Sequence, residues 1–136
     1  MGLKSFVEKY GSTESGQTAK VYLGNSYLFL GNFDDALKAF DSYSGSNEVL
    51  KAAAYAGAGS ALEGKGNKDE ALKNYVKAYE VSKSNVLNPV YMLAAGRLNI
   101  ELGKKDKAVE ILRRAKADFP RSTMARDIDR YLAIAE

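Results

Sequence analysis

Three pairs of neighbouring carboxylates, Asp34-Asp35, Asp69-Glu70 and Asp127/Asp129, are the residues of this chain best suited to acid–base chemistry. Such work needs two carboxyl groups of unequal pKa facing one substrate. Asp127 and Asp129 stand two apart, so on a helix they face different ways. The other two pairs recur at one place in an internal repeat, where a structural role explains them. The chain holds no cysteine and no histidine, which removes thiolate catalysis, Cys/His zinc sites and every His-dependent triad. No P-loop, Rossmann glycine pattern, Gly-x-Ser-x-Gly elbow or calcium loop occurs. The residues therefore read as non-catalytic, with no cofactor and no metal.

A basic cluster, Lys104, Lys105, Lys107, Arg113, Arg114 and Lys116, has the chemistry to meet phosphates or anionic headgroups. Asp106, Glu110 and Asp118 interleave with it, the pattern of a solvated outer helix. Net charge is only +3, far from the concentrated basic face of a nucleic-acid binder. No nucleic-acid partner is expected. Nine tyrosines and five phenylalanines offer stacking surfaces, yet Tyr27, Phe40, Tyr55 and Tyr75 fall in repeat columns and read as packing residues. The longest near-apolar run, residues 52–62, is too short to span a bilayer, which takes about 20 residues.

The elements that carry these residues follow from self-comparison. Gly31-Asn32-Phe33-Asp34-Asp35-Ala36, Gly66-Asn67-Lys68-Asp69-Glu70-Ala71 and Gly103-Lys104-Lys105-Asp106-Lys107-Ala108 share the pattern G-x-x-D-x-A, at offsets of 35 and 37 residues. Seven residues before each leading glycine stands another, Gly24, Gly59 and Gly96; four after each alanine stands a bulky residue, Phe40, Tyr75 and Leu112. Apolar residues recur at three- and four-residue steps on both sides of each G-x-x-D-x-A. The middle glycine fits a helix C-terminus that needs a left-handed residue, and the aspartate meets the positive end of the next helix. The earlier glycines fall inside helices at a cost of about 1 kcal/mol. Close approach to the facing helix, at Ala36, Ala71 and Ala108, is the expected compensation. Each unit is thus a helical hairpin.

A unit of this length, with Leu23-Gly24-Asn25-Ser26-Tyr27, then Ala36 and Phe40, resembles the tetratricopeptide repeat. The second unit keeps Gly59, Ala71 and Tyr75 with Leu62 in the tyrosine column; the third keeps Gly96, Ala108 and Pro120 but has Asn99 there. The resemblance implies an all-α fold, a right-handed superhelix of hairpins whose first helices line a concave groove. One domain, 1–136, is expected, with repeats over 17–50, 52–85 and 89–122, a half-repeat over 3–12 and a closing helix over 122–135. About eight helices are expected, at 3–10, 15–30, 33–43, 49–64, 68–82, 89–102, 105–118 and 122–135, the sixth with Pro89 as its first residue.

A lone second helix at the start implies that more protein precedes residue 3 and that Met1-Gly2 is foreign to it. The ending Ala125-Arg126-Asp127-Ile128-Asp129-Arg130-Tyr131-Leu132 is similar to that of bacterial envelope proteins with one N-terminal anchor, such as the ancillary subunit of the Sec translocon. That resemblance implies a scaffold on the periplasmic side of a bacterial membrane, with the anchor upstream of this chain.

Function is then expected to be binding of a protein or peptide in the groove, at Val21, Tyr22, Asn25, Ala53, Ala56, Gly57, Ser60, Leu93, Arg97 and Arg130. Asn25, Arg97 and Arg130 would orient a bulky apolar ligand against a wall of small residues. The alternative is a structural homodimer formed through terminal helices, with Tyr131, Leu132 and Ile134 in contact. In relatives that clamp acidic chaperone tails, Lys, Asn and Arg grip a carboxylate. The matching positions here are Val21, Asn25, Gly57, Val90 and Ala94, and Asn25 alone keeps a clamp residue. Calorimetric titration with an acidic chaperone-tail peptide is expected to give no binding heat, and micromolar affinity would refute this reading of the groove.

Overall fold

A computed structural model describes residues 2–136; Met1 lies outside the described residues. Eight helices follow in order: α1 (Leu3–Tyr10), α2 (Glu14–Phe29), α3 (Phe33–Asp41), α4 (Glu48–Gly64), α5 (Lys68–Glu80), α6 (Asn88–Glu101), α7 (Lys105–Asp118) and α8 (Ala125–Ala135). Helices α2 and α3, α4 and α5, and α6 and α7 pack as hairpins, with α1 against α2 and α8 against α7 and α6. The arrangement is an all-helical solenoid of tetratricopeptide type.

The hairpin turns are built as the glycines require. Gly31, Gly66 and Gly103 have φ of 76°, 82° and 76°, the left-handed region that a Cβ disfavours. Each turn closes with the same two bonds. Gly31 N–H donates to Leu28 O and Asn32 N–H to Tyr27 O; Gly66 and Asn67, then Gly103 and Lys104, repeat the pattern. These bonds satisfy the last carbonyls of the first helix. The residue that donates the second bond is also the N-cap of the next helix, so the turn is as short as a hairpin permits. Asn67 accepts from Glu70 N–H, whereas the Asn32 side chain makes no cap bond.

Helix ends depart from the expected bounds by two or more residues in three places, and by a single residue at the others that differ. α3 stops at Asp41 and α5 at Glu80, each two residues early. α8 starts at Ala125 rather than 122, because the Ser122 side chain accepts from Met124 N–H and holds residues 122–124 as a turn. α6 begins at Asn88, which puts Pro89 second; the first turn tolerates it because its N–H groups have no partner within the helix.

Packing inside each hairpin differs in one detail from expectation. The mid-helix glycines are roofed by the bulky residues rather than by the alanines. A Cβ on Gly24 would lie 2.6 Å from the Phe40 ring, and one on Gly96 would lie 2.6 Å from Leu112. On Gly59 it would meet Tyr75 at 3.2 Å. Phe40 also meets a second glycine, since a Cβ on Gly57 would overlap its ring. The outer end of its ring therefore meets glycine on both α2 and α4. It anchors one buried cluster with Val21, Ala36, Ala54, Ala58 and Ala61. A larger cluster runs from α4 to α8 through Tyr75, Met92, Leu98, Leu112 and Ile128.

Between elements, Gln17 is a buried polar tie. Its Nε2 donates to Gly11 O at 2.7 Å, and its Oε1 accepts from Ser44 N–H at 2.7 Å, joining the α1–α2 turn to the loop after α3. The contact spacing ranks three substitutions. Alanine in place of a helical glycine gains about 1 kcal/mol of propensity, while overpacking a core costs about 1–3 kcal/mol. Gly24→Ala and Gly57→Ala are expected to lower the urea midpoint, and Gly59→Ala to leave it nearly unchanged.

Candidate partner-binding face

The first helices, α2, α4, α6 and α8, supply the residues expected to line a groove. Helix α2 packs on α4 and α6 on α8, but α4 and α6 have no extended contact with each other. A strip of small or apolar, half-buried residues runs along them: Ala53 and Ala56 on α4, Leu93 and Ala94 on α6, with Ala53 packed on the Phe40 cluster and the other three on the larger one. Val49 and Val90 stand exposed at the N-terminal ends of the same two helices.

Not every expected residue reaches this face. Val21 is 3% exposed and belongs to the Phe40 cluster between α2 and α4. Gly57 is buried beneath Phe40. Tyr22, in the same repeat column as Gly57, is exposed, because the short α1 leaves that part of α2 uncovered. Asn25 is exposed too, but it lies on α2 near Tyr22, Ser26, Phe29 and Leu30. Leu132, expected at an interface, is a core residue in contact with the larger cluster, and Ile134 is the exposed residue of that group.

Polar residues at the C-terminal end of the strip form one network. Tyr75 Oη donates to Glu63 Oε1 at 2.7 Å and accepts from Ser60 Oγ at 2.9 Å. Arg97 reaches across from α6, with Nη2 donating to Glu63 Oε1 and Nη1 to Glu101 Oε2, both at 2.7 Å. Lys68 Nζ adds a 3.4 Å ion pair to Glu101. Arg97 thus braces α4 and α6, which make little backbone contact, and is not a free ligand group. The hydrogen bond to Glu63 holds its guanidinium firmly protonated. Glu63 and Glu101 went unnoticed in the sequence; their partner lies 34 residues away or falls at ordinary i,i+4 helix spacing. Arg130 remains exposed, paired with Asp127 at 3.3 Å and stacked over the Tyr131 ring at 5.0 Å.

One carboxylate of each repeat pair is held by a basic residue, and so are both Asp127 and Asp129. Asp34 pairs with Lys65, Glu70 with Lys73 at 3.2 Å, Asp127 with Arg130 and Asp129 with Lys116 at 2.8 Å. Among the described residues no three potential metal ligands converge. The basic cluster divides. Arg113, Arg114 and Lys116 pair with Glu136, Asp118 and Asp129, while Lys104, Lys105 and Lys107 make no ion pair among the described residues. No helix among these residues is long and apolar enough to cross a membrane.

Burial raises the Tyr75 hydroxyl well above the ordinary tyrosine range, and the Glu63 carboxylate beside it adds to the rise. Burial likewise raises Tyr79 and Tyr91. An unfolded tyrosine titrates near pH 10. A folded pKa above that value means the neutral form is favoured in the fold, so this stability is intact below about pH 10 and lost as pH climbs further. In a tyrosinate absorbance titration, three of the nine tyrosines are expected to ionise only as the helices unfold. Early ionisation of all nine would contradict the burial described.

A comparison with curated proteins found no match. Family models described as tetratricopeptide repeat match residues 23–86 and 91–122, which span the three hairpins from Leu23 in α2 to the end of α7. The hairpin pairing, the three left-handed glycine turns and the small-against-large packing agree with those matches. The chain belongs to the tetratricopeptide-repeat family.

Proposed function

We propose that this protein is a non-catalytic scaffold that holds an apolar, helical segment of a partner protein between α4 and α6. Repeats of this family serve protein–protein interaction. The observation that carries the more specific reading is the sparse backbone contact between α4 and α6. Adjacent first helices elsewhere in the stack pack together, but α4 and α6 make little backbone contact, and their half-buried side chains are small or apolar, flanked by exposed Val49 and Val90 at one end and the Arg97–Glu63 network at the other. An amphipathic helix buries its apolar stripe against such a wall and leaves its polar end to the ion network. Pairing of Asp34, Glu70, Asp127 and Asp129 with separate lysines and arginines supports a binding role over acid–base catalysis. The likeness of the closing helix to anchored envelope proteins supports placing this scaffold on the periplasmic side of a bacterial membrane. A reading frame with an apolar stretch of about 20 residues upstream is the corresponding test.

A second reading, self-association, has its own observation. Phe29 is 91% exposed, with Leu30 and Tyr22 exposed beside it around a shallow 500 Å³ hollow on α2. An apolar cluster of this kind is a natural contact between copies. Light scattering separates the two: a dimer dispersed by Phe29→Asp favours self-association, and a monomer removes it.

For the groove, NMR shift mapping with amphipathic helical peptides is expected to perturb Ala53, Ala56, Leu93 and Ala94 together. Ala56→Trp should fill the space and cut affinity about tenfold or more, since the ligand's apolar face loses its seat. Perturbation confined to other surfaces would end the proposal.

A further inference from the structure

On the opposite side of the stack, the second helices α5 and α7 leave a furrow whose floor is α6. Two cavities lie along it. They measure 460 Å³ and 650 Å³. The smaller has an apolar bed of Leu72, Val76 and Ile111, with Asn99 in its wall. Asn99 is 2% exposed; its Nδ2 donates to Ala95 O at 2.9 Å, and its Oδ1 accepts no bond. Because Nδ2 must face that carbonyl, the unpaired atom is an acceptor. The larger cavity repeats the arrangement. Tyr79, Met92 and Phe119 line it, with Asn88, whose Nδ2 donates to Ser82 O at 2.6 Å while Oδ1 stays unpaired. A buried acceptor without a donor costs about 1–3 kcal/mol.

The repeat register says what is missing at Asn99. Its column holds Tyr27 in the first unit and Leu62 in the second. The third unit alone places a short polar residue there. Charge adds direction: Lys77, Lys104 and Lys107, which make no ion pair among the described residues, border the smaller cavity against Asp69 and Glu80, while Lys73 there pairs with Glu70; at the larger cavity Arg114 pairs with Asp118 and Lys83 adds a positive charge. Two such cavities, whose asparagines lie eleven residues apart on one helix, about 16 Å, suit an elongated occupant better than a compact small molecule.

We infer that the α5–α7 furrow binds an acidic segment of a partner protein, seating an aromatic side chain that carries an N–H or O–H donor over Asn99. This surface is separate from the α4–α6 face and stands or falls independently of it. The chain has no tryptophan, so a glutamate-rich peptide with one tryptophan reports its own insertion by fluorescence. A blue shift on titration is expected, and Asn99→Leu should abolish it while raising the urea midpoint. The double variant Lys104→Glu/Lys107→Glu should weaken binding about tenfold or more, through loss of opposite-charge contacts. Lys105→Glu, outside the cavity, should not. Absence of a blue shift, equal weakening by Lys105→Glu, undiminished binding to both cavity variants, or tighter binding of a labelled oligonucleotide with the same lysine dependence would each overturn the inference. The lysine pair decides the matter even if Asn99→Leu does not fold.

Discussion

Glycine against a large ring is the contact on which the rest of this fold depends. Phe40 can occupy the space between α2 and α4 only because Gly24 and Gly57 offer backbone where any other residue would place a Cβ. The ring then fixes two spacings together, the one inside the first hairpin and the one between the first and second hairpins. Dispersion contacts fall off within an ångström of gap, so the fit sets helix separation closely. Gly96 beneath Leu112 sets the third hairpin in the same way. Register, helix spacing and the placement of every exposed stripe follow from these seats.

Where that device is absent, polar bonds take over. No ring is clamped between α4 and α6 as Phe40 is between α2 and α4. Arg97 spans the distance instead, and the Tyr75 hydroxyl and Ser60 complete the coordination of Glu63. A charged brace leaves open space beside it that an apolar seam would have closed. The same residues thus stabilise the stack and keep one face vacant. On the far side, Asn99 does the opposite of a brace: it leaves both space and an unsatisfied acceptor in the core's edge.

Local signals in the sequence located most of the architecture. Gly31, Gly66 and Gly103 marked the hairpin turns because a left-handed residue is a requirement of one position, independent of the rest of the fold. Gly24 and Phe40 were visible as repeat columns, though their direct contact was not, since the alanines offered an equally plausible partner. The candidate face was less legible. Neighbouring residues on a helix point about 100° apart, so Val21 and Gly57 passed for surface residues until the neighbouring hairpin covered them. Arg97 was recognised as well placed, but its partner Glu63 lies in another unit, and nothing in either residue's neighbourhood announces the pairing. Asn99 stood out as a departure from its column; the unpaired oxygen it carries required coordinates.

The junction between the second and third hairpins has a mechanical consequence. The first two hairpins meet through both α3 against α4 and α2 against α4, whereas the second and third meet mainly through α5 against α6. That single seam is a fulcrum, with the α4–α6 gap on one side and the α5–α7 furrow on the other. A tilt about it widens one opening as it narrows the other, like the two ends of a seesaw. The Arg97–Glu63 brace lies on one side of that seam, so breaking it would free the tilt and leave α5 against α6 as the main backbone contact joining the last two hairpins.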